Sequence, residues 1–234
     1  MFSQGDIVGL VGVYAYVAVV ILLASRLDLV RRAGAQRKFV HIMVGNIVLI
    51  WWVFDSPYVM AFLAAAPFIP LLLLASSRSP IKRVRDSFIG QTTCESHDLG
   101  LVYYAISWTI LAFFLFNDRL VASIAIVGMS YGDGLGCLVG KAYGKRRLLG
   151  RKTLEGTLAV LAATTLAGLA VIAFYGALSA AGLYAGPMMG VSIALGISLI
   201  SGAFVAFVEL ITPGQYDNLT IPLGTAALLL LLGV

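Results

Sequence analysis

Apolar residues along the chain come in runs of roughly 17 to 25, the length at which a helix crosses the hydrocarbon core of a bilayer. Such runs lie near 6–25, 38–54, 57–75, 99–116, 120–140, 157–178, 188–211 and 221–234. They predict an all-α, polytopic integral membrane protein with about eight transmembrane helices. The last run is short and ends the chain. Pro222 near its beginning, with Thr220 before it as a helix cap, predicts that a new helix starts there. No composition shift, low-complexity linker or internal repeat divides the sequence, so residues 1–234 read as a single transmembrane domain.

Charge then orients the helices. Arg26, Arg31, Arg32, Arg37 and Lys38 follow the first run, and Arg78, Lys82, Arg83 and Arg85 follow the third. Lys141, Lys145, Arg146, Arg147, Arg151 and Lys152 follow the fifth. Of the 16 basic residues only Arg119 lies outside these loops. The excess of basic residues in cytoplasmic loops places all three inside and both termini on the non-cytoplasmic side. An even number of spans follows. The N-terminal run lacks a basic leader and is too long for a signal peptide, so no cleavage is expected.

Composition supports the same class. Hydrophobic residues make up 60% of the chain and charged ones 12%, about half the charged share of a soluble domain. The net charge of +5 would suit a polyanion, but its confinement to short loops argues for membrane orientation and against nucleic acid. Cys94 and Cys137 are too few for a disulfide framework or a cysteine-rich metal site.

Ionisable groups at membrane depth are costly, and so they mark candidate chemistry. Asp133 lies about seven residues before the cytoplasmic end of the fifth run, roughly 10 Å deep at 1.5 Å per residue. Glu209 sits near the cytoplasmic end of the seventh run. His41 sits just inside the cytoplasmic start of the second, one turn from Arg37 and Lys38. The outer halves of the runs carry no comparable groups, which is unlike a channel and suits a site open to the cytoplasm.

The sequence around Asp133 reads Gly132-Asp133-Gly134-Leu135-Gly136, with Gly140 and Gly144 beyond. Glycines permit close approach of a second helix or of a ligand. A carboxylate among them suits Mg²⁺ held together with substrate phosphates. Beyond Lys141 comes Lys152-Thr153-Leu154-Glu155-Gly156-Thr157, at the start of the sixth helix, where backbone N–H groups and the helix dipole favour an anion. Neither a Walker A loop nor a GxGxxG fingerprint is present, because the glycine spacings differ. Glu209, Pro213, Asp217, Asn218 and Pro222 frame the last cytoplasmic turn, while Glu95, His97 and Asp98 form a weaker polar cluster before the fourth run.

Taken together, these segments resemble the membrane kinase family that includes dolichol kinase, phytol kinase and the CTP-dependent diacylglycerol kinase of yeast type. The matching stretches are Arg37-Lys38-Phe39-Val40-His41-Ile42, Gly132-Asp133-Gly134 with Gly140 and Gly144, Lys152 to Thr157, Glu209, and Asp217-Asn218-Leu219-Thr220-Ile221-Pro222. Thr153 stands where the family often has serine, and the hydroxyl is retained. The resemblance implies transfer of the γ-phosphate of CTP, with Mg²⁺, to the hydroxyl of a lipid alcohol drawn from the bilayer. Phosphoryl transfer of this kind rests on positioning and charge neutralisation. The resemblance assigns catalysis to Asp133, Lys152, Glu155, Glu209 and His41. Nucleotide and phosphate contacts fall to Arg37, Lys38, Gly132, Gly134, Lys141, Thr153, Gly156, Thr157, Asp217 and Asn218. Asp133, Glu209 and Asp217 become the metal ligands. The expected location is the cell membrane or the endoplasmic reticulum, with the site facing the cytoplasm. Two other activities use similar residues. A CTP:lipid-phosphate cytidylyltransferase would release pyrophosphate rather than CDP, and a small-solute transporter would place Asp133 and Glu209 at a coupling-ion site beside broken helices.

Overall fold

A computed structural model describes residues 2–27, 35–76, 81 and 99–234. Among the described residues there is no strand, only an isolated bridge between Arg147 and Thr153. The helices are α1 (Gln4–Arg26), α2 (Gln36–Val44), α3 (Phe68–Ala75), α4 (Gly100–Phe114), α5 (Arg119–Val127), α6 (Gly134–Tyr143), α7 (Leu154–Ala180), α8 (Val191–Ile211) and α9 (Asp217–Leu231). π-Helical segments at Val59–Ala65 and Gly128–Asp133 lead into α3 and α6. Four helices are long and apolar enough to cross a membrane: Gln4–Arg26, Arg119–Tyr143, Leu154–Ala180 and Val191–Ile211. Val59–Ala75, Gly100–Phe114 and Asp217–Leu231 are shorter apolar helices.

Two of the expected runs take a different local form. Over 38–54 the chain makes α2 and then two 3₁₀ turns, Gly45–Leu49 and Trp51–Val53, instead of one long α-helix. Gly45 and Asn46 are poor helix formers. The Tyr16 hydroxyl donates to the Met43 carbonyl at 2.8 Å, and the Asn46 amide donates to that hydroxyl at 3.0 Å. Side chains thereby supply polar partners where the helix changes pitch. The last helix begins at Asp217, four residues earlier than the run at 221–234 suggests, and Pro222 lies inside it. A proline in that position has no N–H for the carbonyl four residues back, which is that of Asn218. The Ser107 hydroxyl donates to that carbonyl instead, at 2.6 Å. Thr220 is therefore an interior helical residue and not a cap.

The chain divides into two compact units, Met1–Phe116 with Pro213–Leu219, and Asn117–Thr212 with Thr220–Val234. In the first unit, α1 opens with Ser3, whose hydroxyl accepts from the Asp6 N–H at 2.9 Å. The buried Asp6 carboxylate accepts from the Asp55 and Ser56 N–H groups at 3.1 Å each. Gly9, Val13, Val17, Val20 and Ala24 make the buried stripe of α1, while Val11, Val19 and Leu22 face outward. Apolar residues on both the inner and outer faces are what a lipid solvent permits.

In the second unit, α5, its π segment and α6 run on as one helix. Every residue from Leu120 to Ser130 is buried, as a helix apolar on all sides requires. Gly128, Gly132, Gly136, Gly140 and Gly144 recur every four residues and form one stripe. That stripe packs on α7: a side chain at Gly136 would run into Val160, and one at Gly132 into Thr164. Small residues bring two backbones together where lipid offers no hydrophobic drive for association.

Candidate active site

One end of the second unit gathers the C-terminus of α6, the N-terminus of α7 and the C-terminus of α8. Thr153 caps α7, its hydroxyl accepting from the Gly156 N–H at 3.2 Å. A side chain at Gly140 would come within 3.3 Å of the Thr153 hydroxyl, and one at Gly156 within 3.2 Å of the Gly140 Cα. Glycine on both sides thus permits this close crossing, where an added β-carbon would be tighter than ordinary contact. The Thr157 hydroxyl is buried beside it and has no hydrogen-bond partner among the described residues.

Lys152 stands just ahead of the cap. Its Nζ lies 2.8 Å from Glu209 Oε1, and both side chains are largely withdrawn from solvent. It also donates to the carbonyls of Glu209 and Thr212, the latter at 3.3 Å. A cation on the last carbonyls of α8 complements that helix's dipole. Lys152 and Glu209, expected as a phosphate grip and a metal ligand, are therefore each other's partners in the structure.

Glu155 has a different setting. Its Oε2 accepts from the backbone N–H groups of Lys145 and Arg146 at 3.0 and 3.2 Å. With the Leu148–Lys152 and Leu154–Arg146 backbone bonds and the left-handed Gly150, this folds the basic stretch into a compact loop. Lys145, Arg146 and Arg147 are exposed on it, and Lys141 is exposed in the last turn of α6. Glu155 is expected to be catalytic; in the structure it ties this loop.

Asp133 is deeper. It closes the π segment and is 5% exposed, at the level where the stripe meets Val160 and Thr164. Counting seven residues to Gly140 gives a depth of about 10 Å below the α7 cap. π segments inside α-helices recur at functional sites because the extra residue re-aims the side chains that follow. Asp133 and Gly134 lie beside the glycine stripe and not on it, so the stripe serves helix packing while the carboxylate projects from another face.

The remaining expected residues belong to the first unit. Arg37 and Lys38 open α2 and are half-buried. The Arg37 guanidinium covers Gly100 at the start of α4: a side chain there would meet Nη2 at 2.5 Å, and the Asn218 amide nitrogen at 3.4 Å. Asp217 begins α9, where its carboxylate accepts from the Asn218 N–H and side-chain amide at 2.8 Å each. A negative charge in that first turn is favoured by the helix dipole. His41 is buried one turn beyond Arg37, its ring 4.6 Å from that of Tyr104. Tyr103 stacks on Tyr216 at 5.6 Å. Tyr104 and Ser107 carry no signal in sequence, since each is one polar atom in an apolar helix.

Among the described residues no three His, Cys, Asp or Glu side chains gather into a metal cage. Mg²⁺ does not need one, because it commonly uses one or two carboxylates and takes its other ligands from phosphates and water. Glu95, His97 and Asp98 lie outside the described residues, as do Arg31, Arg32, Arg78, Lys82, Arg83 and Arg85.

The chain is 32% identical over 219 residues to phytol kinase of Synechocystis sp., an alignment that covers 90% of this chain and 85% of that protein. The chain belongs to the polyprenol/phytol kinase family. It is also 26% identical over a 242-residue alignment to probable phytol kinase 1, chloroplastic, of Glycine max, covering 97% of this chain and 76% of that one. No family model and no solved structure matches it. Membership agrees with the resemblance carried by the Arg37–Ile42, Gly132–Gly134 and Lys152–Thr157 segments. Both relatives align with nine-tenths or more of the chain, so the likeness spans residues from both units.

Proposed function

We propose that this chain is a membrane kinase that transfers the γ-phosphate of CTP to the hydroxyl of an isoprenoid alcohol, phytol foremost, releasing CDP and a lipid monophosphate. The observation that carries this reading is the similarity to phytol kinase along 90% of the chain. The arrangement of the second unit supports it: a capped helix start, a basic loop, a Lys152–Glu209 pair and a buried carboxylate about two turns below. In the reaction, the alcohol oxygen forms a bond to the γ-phosphorus, the bond from that phosphorus to the β–γ bridging oxygen breaks, and the hydroxyl proton passes to a protein carboxylate or to water. Lys152 releases Glu209 and neutralises the phosphates, joined by the Thr153–Thr157 turn and by Lys141. Glu209, freed from Lys152, and Asp133 would hold Mg²⁺, which supplies charge neutralisation when bound; the alternative role for Asp133 is to accept the hydroxyl proton. Within the first unit, Arg37 and Lys38 keep the phosphate-gripping role and His41 the catalytic role that the family resemblance implies, and Asp217 orients Asn218 beside Arg37.

The eight helical segments cross the membrane with both termini non-cytoplasmic, so the basic loop and α7 cap face the cytoplasm, where CTP is found. The membrane is the cell membrane or the endoplasmic reticulum.

The test uses purified protein in detergent with Mg²⁺, γ-labelled CTP, ATP or GTP, and a panel comprising phytol, geranylgeraniol, a polyprenol and diacylglycerol. Labelled phytyl monophosphate with stoichiometric CDP is the expected result. Pyrophosphate release with a CDP-lipid would move the chain to cytidylyl transfer. No labelled lipid from folded protein, with solute flux into proteoliposomes, would replace the reading by transport.

A further inference from the structure

The first unit contains an apolar cavity whose empty space, mouth included, is about 900 Å³. One wall is α1 from Val13 to Ile21, roughly 12 Å long at 1.5 Å per residue. The opposite wall includes Trp108 of α4. Space is left between them because Ala64, Ala65 and Ala105 stand where larger side chains would close the contact. Ala64 and Ala65 end the π segment, and Pro67 caps the α3 that follows.

The polarity of the cavity is one-sided. His41 and Tyr104, in mutual ring contact, line it one turn inside the group formed by Arg37, Gly100 and Asn218. Beyond them the wall is aliphatic and aromatic. An apolar void of this size forfeits dispersion contacts along its whole lining unless something fills it. In a bilayer the filler is a lipid tail. His41 is 4% exposed, and Arg37 packs against Gly100 one turn away, so the polar end is confined and favours a hydroxyl over a phospholipid headgroup.

We infer that this cavity holds the hydroxyl-proximal part of an isoprenoid alcohol's tail, with His41 and Tyr104 at the hydroxyl end and Ala64, Ala65 and Ala105 setting the width of tail accepted. The inference rests on the kinase reading for the identity of the lipid, but not for the position of the site.

The experiment places the whole protein in phosphatidylcholine nanodiscs with a phytol analogue bearing a diazirine near its hydroxyl, followed by irradiation and peptide mapping. Adducts are expected between Val13 and Ile21 and between Leu101 and Trp108, lowered about tenfold by excess phytol. Adducts on other helices, or adducts here that phytol does not displace, would overturn the inference and leave the cavity to bulk lipid. Ala105→Phe, which fills the space, is expected to raise KM for phytol roughly tenfold while KM for CTP stays within about twofold. If this variant does not fold, the wild-type adduct map still decides. Displaceable labelling at the cavity without any lipid phosphate formed would remove the kinase reading and keep the site. Full kinase activity with labelling elsewhere would do the reverse.

Discussion

Small residues serve opposite ends in the two units. In the second, Gly132 and Gly136 remove the space against α7, so that a single methyl group would collide, and Gly140 leaves only a tight contact. In the first, Ala64, Ala65 and Ala105 leave space between helices, and a cavity results. Regular four-residue spacing on a continuous helix gives the tight seam, while alanines on a π-helical turn and a neighbouring helix give the gap. The tight seam holds charged groups, Asp133 beside it and Lys152 with Glu209 at its end. Fixed distances matter for charges, since electrostatic catalysis depends on groups already in place. An apolar tail needs only room.

The largest effect is expected at Asp133. Asp133→Asn keeps the shape of the seam and removes the charge, and lipid kinase activity should fall by about 10²–10³-fold, the loss typical of a preorganised electrostatic group. Retention of full activity in protein with wild-type melting behaviour would separate the seam from catalysis.

Next comes the seam itself. Gly136→Leu drives a side chain into Val160, and the apparent melting temperature in detergent should drop by an amount equivalent to about 1–3 kcal/mol. Gly176→Ala, where nothing lies within 4 Å of the added atom, should be neutral or stabilise α7 by up to about 1 kcal/mol. Equal effects at the two glycines would deny that the stripe is a packing surface.

A third, smaller effect concerns the partly exposed Lys152–Glu209 pair. Lys152→Met alone leaves Glu209 unpaired and should cost about 1–2 kcal/mol, between the values for surface and buried pairs. Adding Glu209→Gln should recover most of it, and equilibrium denaturation of the single and double variants measures the coupling. Both should also lower turnover, by less than Asp133→Asn does, because the loss of phosphate contacts persists when stability recovers.

The smallest effect lies in the first unit. Ser107→Ala removes the donor to the Asn218 carbonyl and should cost about 0.5–1 kcal/mol. With Pro222→Ala, the helix regains its own N–H for that carbonyl, and the cost of Ser107→Ala should shrink toward zero. An undiminished cost would mean that Ser107 matters for another reason.

Particular residues show where sequence reading succeeds and where it stops. The long apolar helices near 6–25, 120–140, 157–178 and 188–211, the burial of Asp133 and the helix start at Thr153 are legible, because each follows from hydropathy or capping chemistry that acts within a few residues. The start of α9 at Asp217 is not, because the partner that tolerates Pro222 inside the helix is Ser107, 111 residues from Asn218. The hydrogen bonds of Glu155 are equally hidden: nothing in the motif shows that its carboxylate meets two backbone N–H groups nine and ten residues back.

By itself, then, the sequence determined a helical protein made for lipid, the segments that carry charge, and the family to which it belongs. Those are properties of local composition and of residue order. Tertiary structure alone decided that Lys152 pairs with Glu209, that one glycine stripe faces α7, and that alanines beside a π turn open a cavity next to His41. Each of these depends on which helices become neighbours, and helix partnership in lipid is settled by shape and polar matching between surfaces that no single segment contains.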